Sequence, residues 1–156
     1  MLHMKSFSKE QLTNWLIDCG YQPEIVPHER VEYLLRIKRG SLPLVVARPT
    51  KAQYLSIEAV IQLIPEDEGL YTPQVDDQLK KLIVQEYLGL KTDVNFMKGS
   101  AIRVYDRIYD DGFTYDRFFT SIRNVTYNAL HLLDLLRTTV GTNTRVEDSL
   151  NPNYYT

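Results

Sequence analysis

Cysteine is almost absent from this 156-residue sequence: Cys19 alone excludes an internal disulfide and any cysteine-built metal site. A lone thiol fits a reducing compartment. Placed on the apolar stripe of the first expected helix, it should be buried and inert. Histidine is scarce as well. His3, His28 and His131 lie far apart, and no His-x-x-x-His or Glu-flanked pair sets two of them on one helical face, so a zinc enzyme has no support. A Gly-x-Ser-x-Gly elbow, a glycine-rich loop and internal repeats are missing too. No stretch approaches the ~20 apolar residues of a membrane-spanning helix, and residues 1–10 hold no signal-peptide run. The chain is therefore expected to be cytoplasmic and not an enzyme, with no cofactor, resident metal or small-molecule ligand.

What is present suits one globular domain. Hydrophobic residues make up 44% and charged residues 24%, enough for a packed core. The net charge of −2 argues against a dedicated nucleic-acid binder. The charges are segregated, however. Between Arg30 and Lys51 six bases meet the single acid Glu32, whereas between Glu58 and Asp77 six acids meet no base. Two solvated faces account for this most simply; an interface of matched charge is the alternative.

The element order is legible. Ser8 and Gln11 form a capping box with Phe7 and Leu12 as a staple, followed by Leu12, Trp15, Leu16 and Cys19 at helical spacing and a stop at Gly20. Val31, Tyr33, Leu35 and Ile37 then alternate as a strand, and Gly40-Ser41 turns the chain into a second strand, 42–48. A third strand runs over 54–64. Thr72-Pro73 opens a helix that ends near Gly89. Val94 and Phe96, then Ile102, Val104 and Ile108, form a hairpin. A long helix spans about 114–139, with Tyr115, Phe118, Phe119, Ile122, Val125, Ala129, Leu132, Leu133 and Leu136 on one arc. The fold class read from this order is α+β: helix, three strands, helix, two strands, helix, with a mainly antiparallel sheet packed by helices. Residues 1–140 form the domain, and 141–156 form a flexible or weakly docked tail.

The same order resembles the class I type III secretion chaperones and the YbjN-like proteins. A closer likeness, to a prokaryotic family of unknown function with that fold, is carried by Ile108-Tyr109-Asp110-Asp111-Gly112-Phe113-Thr114-Tyr115-Asp116-Arg117-Phe118 and by Leu44-Val45-Val46-Ala47-Arg48-Pro49. The resemblance implies a homodimer that binds an extended segment of a partner protein. It brings a fold and no activity.

Three groups of residues could carry function. Arg103, Tyr105, Arg107 and Tyr109 share one face of the last strand of the hairpin, in a combination that interfaces favour and that could also stack on bases. Leu132, Leu135 and Leu136 lie on a helix with more apolar width than one sheet needs, which suggests a subunit interface. Asp106, Asp110, Asp111 and Asp116 put four carboxylates within eleven residues. Their spacing fits no calcium loop, and turn and capping chemistry explains them. The leading reading is a non-enzymatic, chaperone-like adaptor whose partner is another protein or itself. A nucleic-acid-associated regulator stands second and a metal-dependent hydrolase third.

Overall fold

A computed structural model describes residues 8–40, 42–63, 77, 81, 93–97, 101–140 and 144–147, and the side chains of 8–40, 42–61, 77, 81 and 103–134. Helix α1 (Lys9–Asp18) begins where the Ser8 hydroxyl accepts the Gln11 N–H at 3.1 Å. It ends in a Schellman motif. Tyr21 N–H donates to the Leu16 carbonyl and Gly20 N–H to that of Ile17, with Gly20 at φ +92°. Leu12 and Leu16 are fully buried.

Among the described residues seven strands build one antiparallel sheet: β1 (Glu24–Ile25), β2 (Val31–Arg39), β3 (Leu42–Pro49), β4 (Tyr54–Leu63), β5 (Asp93–Met97), β6 (Ala101–Tyr109) and β7 (Thr144–Glu147). The order across the sheet is β1-β2-β3-β4-β6-β5, with β7 also on β4. Asp110–Gly112 make one 3-10 turn before helix α2 (Tyr115–Val140). That helix is capped where the Thr114 hydroxyl accepts the Arg117 N–H at 3.0 Å. The expected helix near 72–89 falls largely outside the described residues; Asp77 and Lys81 within it are helical. Phe7 of the staple lies outside them as well.

The described core lies between α1, α2 and one sheet face. Leu35, Ile37, Leu44, Val46, Leu55, Ile57, Ile61, Val104 and Ile108 meet Leu12 and Leu16 from α1 and Phe118, Ile122, Val125, Ala129 and Leu132 from α2. Alternation is the reason: on each strand these positions lie two or four residues apart, so they share one face. A second, smaller cluster of Val31, Leu34 and Ala47 sits apart from that core. Leu34 and Ala47 are cross-strand partners, so the sheet is apolar on both faces at this point.

Two strands were not expected. β1 is two residues long, and β7 falls inside the segment read as a tail. Its position has a physical cause. In the β3–β4 register Pro43 would face Val60, but Pro43 has no N–H to give and the pairing stops at Val45↔Glu58. Beyond that point β4 pairs Val60–Leu63 with β7 instead.

Candidate functional site

The Arg/Tyr row of β6 is brought together on the sheet face away from α1 and α2. Arg103 is only 8% exposed and grips Glu58 of β4, itself 1% exposed, at 2.5 and 3.3 Å. Ser56 donates to the same carboxylate at 3.4 Å. The Arg103 guanidinium lies over the Tyr105 ring at 4.1 Å, and Arg107 lies between Tyr54 (4.7 Å) and Tyr105 (5.4 Å). Tyr109, 53% exposed, packs against Tyr54 with ring centroids 5.5 Å apart. The four residues therefore differ in role. Arg103 is committed to an internal ion pair, whereas Arg107 and Tyr109 occupy the accessible end of the row.

Sequence reasoning missed Glu58 and Tyr54, although their signal was present. With Leu55, Ile57, Ala59 and Ile61 fixed on the core face, Tyr54, Ser56 and Glu58 must face the other way. The register then sets Glu58 beside Tyr105 and Tyr54 beside Tyr109.

The two segments that carried the family likeness meet in space. Arg48 of β3 makes a bidentate pair with Asp110, both bonds at 2.8 Å, donates to the Ala52 carbonyl at 3.2 Å and reaches Glu32 at 3.4 Å. The hydrogen bond to Asp110 raises the Arg48 pKa further, and burial lifts the nearby Tyr33 phenol well above its ordinary value. Asp106 points to the helix side of the sheet, where Arg117 grips it at 2.8 and 3.2 Å and Ser121 donates at 2.7 Å. Aspartates close in sequence thus serve different partners, Arg48 of β3 and Arg117 of α2. Among the described residues no three potential metal ligands converge. The arrangement joins strand to turn and sheet to helix, and a fork-on-carboxylate pair is chemically suited to that.

The edge of the sheet supplies a further feature. Val26 N–H donates to the Leu34 carbonyl at 2.9 Å, so Leu34, and by alternation Arg36 and Lys38, turn their backbone groups away from β3. Glu24 of β1 covers Arg36, and the β1–β2 pairing extends no farther. Beside this edge lies a groove of about 280 Å³ lined by Gly20, Gln22, Glu24, Arg36, Ile37 and Lys38. Arg36 is paired with Glu24, and Arg39 donates to the Tyr21 hydroxyl at 3.3 Å.

Of the helix residues expected at a subunit interface, Leu132 is fully buried in the core of the single chain, so its side chain has no surface to offer a partner. The side chains of Leu135 and Leu136 lie outside the described residues. Among the described residues of α2, the large exposed hydrophobic side chains are Tyr127, 69% exposed, Leu130, 49% exposed, and Tyr115 in its first turn. Cys19 also differs from expectation. It is exposed, because as the C-cap it has left the helical path and the stripe with it, and its thiol meets the Tyr115 hydroxyl at 3.2 Å. Tyr115, expected on the buried arc, is half-exposed and packs edge-on to Trp15.

Compared with known proteins, residues 8–136 match the family model described as "Uncharacterized conserved protein (DUF2299)", and the chain belongs to that family. No curated protein matches. Among solved structures, the crystal structure of an uncharacterized protein from Methanothermobacter thermautotrophicus is similar at a TM-score of 0.73 with 19% identity, over 86% of this chain and 100% of that one. A chain of the ExsC–ExsE complex is similar at a TM-score of 0.54 with 13% identity, over 77% of this chain and 89% of that one. At these identities the likeness concerns the fold, and the fold is the α+β architecture, a mainly antiparallel sheet packed by helices, expected from the order of elements. Among the described residues no helix is long and apolar enough to cross a membrane.

Proposed function

We propose that this family member is a non-enzymatic, cytoplasmic protein-interaction domain that captures an extended segment of a partner polypeptide. The observation that carries the reading is the outer edge of β2. There the Lys38 N–H and C=O point out of the sheet beside a groove, past the end of the two-residue strand β1. An incoming strand can extend the ladder at that point, with main-chain hydrogen bonds supplying affinity and the groove supplying side-chain contacts. A fold similar to a chain of the ExsC–ExsE complex supports the same reading, because that protein is found joined to another. Among the described residues of the sheet, the buried acids are also engaged: Glu58 with Arg103 and Asp106 with Arg117.

A second copy of the chain is a further partner in this proposal. Tyr127 and Leu130, one helical turn apart, offer α2 an exposed apolar step for self-association.

The edge reading is tested with Lys38→Pro. Lys38 faces Pro43 across β2–β3 without exchanging backbone bonds, so the loss of its N–H leaves the hairpin intact and removes a donor from the edge. Binding to an array of synthetic 12-residue peptides should fall for this variant while its melting temperature stays close to that of the parent. Undiminished binding would refute the edge as the docking place.

A further inference from the structure

We propose that Arg107, clasped between Tyr54 and Tyr105, is an anion-recognition site that receives a carboxylate side chain from an acidic polypeptide segment. The inference deepens the interaction-domain reading and rests on it for the class of ligand. Its foundation is a contrast with four other arginines of the sheet and its neighbouring helix, each held by a carboxylate. Arg36 is paired with Glu24, Arg48 with Asp110, Arg103 with Glu58 and Arg117 with Asp106. Arg107 has no carboxylate among the described residues. Its contacts are the faces of two tyrosine rings, and its Nε lies buried without a hydrogen-bond partner.

A buried guanidinium N–H left without an acceptor is unfavourable, and proteins seldom keep one unless a water or ligand meets it. Arg107 itself is only partly buried, and the neighbouring Tyr109 is half-exposed, so the site opens to solvent at this end of the row. The guanidinium lies against two tyrosine rings with its Nε–H unmet, and a planar, two-oxygen acceptor suits such a forked donor. A carboxylate fits that geometry, and the match of one positive to one negative charge completes it.

Nucleic acid suits the site less well. A phosphate backbone calls for several free cations in a row. On this strand Glu58 already neutralises Arg103, and the whole chain carries a net charge of −2.

The test compares the parent with Arg107→Gln and Arg107→Lys on a peptide array in which each Asp- or Glu-containing peptide is matched by its Asn or Gln counterpart. Oligothymidylate serves as a competitor. The parent should prefer acidic peptides by about tenfold, the worth of one charge-assisted pair. Arg107→Gln should erase that preference without lowering the melting temperature. Arg107→Lys, which keeps the charge and loses the fork, should retain part of it and remains informative if the glutamine variant fails to fold. Peptide binding that is indifferent to acidic residues or to both substitutions overturns the anion site and leaves the interaction reading standing. Parent protein that binds no peptide overturns the interaction reading and with it the acidic-peptide assignment. Oligothymidylate that displaces bound peptide from the parent, and fails to bind Arg107→Gln, reassigns the site to nucleic acid.

Discussion

At the scale of single residues, the buried acid Glu58 is a linchpin of the sheet. Glu58 and Arg103 are both nearly inaccessible, so removing one partner strands the other in a low-dielectric setting. Glu58→Gln is expected to lower stability by ~3–5 kcal/mol in urea unfolding, whereas Glu58→Leu combined with Arg103→Met should come within about 1 kcal/mol of the parent. A single substitution that costs as little as the double would show that the pair is not buried in solution. Tyr33 provides a pH test. Its folded pKa is raised by burial, so its stabilising effect is complete below the unfolded value near 10 and is lost as pH rises toward the folded value. Stability should fall above about pH 10 by up to ~1.4 kcal/mol per unit from this group. Tyr33→Phe should show a shallower decline over the same window.

At the scale of elements, Arg48–Asp110 joins β3 to the turn before α2. Asp110→Asn should cost ~2–3 kcal/mol, with most of the loss shared by Arg48→Met in a double-mutant cycle. An additive cycle would mean that the two residues act independently. Much of this level was readable from sequence. The α1 cap and its glycine stop, the period-two runs of β2, β3 and β4, and the broad arc of α2 each carry a local physical signal that the fold obeys. What could not be read depends on register. Glu58 acquires meaning only when β4 lies beside β6, and Asp106 only when α2 folds back over the sheet. β7 exists because Pro43 frees part of β4, a vacancy far away in sequence. Cys19 misled because the last position of a periodic stripe is also a cap, and caps leave the helical path.

For the whole molecule, the central proposition is that the sheet remains open to another chain. Self-association is one consequence. Leu130→Asp alters an exposed position, so its melting temperature should stay close to that of the parent while light scattering at micromolar concentration reports half the mass. A parent already monomeric under those conditions would remove the homodimer and leave peptide capture untouched. The edge itself is examined most directly by amide hydrogen exchange, residue by residue, on the free protein and on its complex with the tightest-binding array peptide. The Lys38 amide should exchange quickly in the free chain and become strongly protected in the complex, while the amides within β3 and β4 change little. Tight peptide binding that leaves Lys38 as fast as before would place capture elsewhere and contradict strand addition at β2.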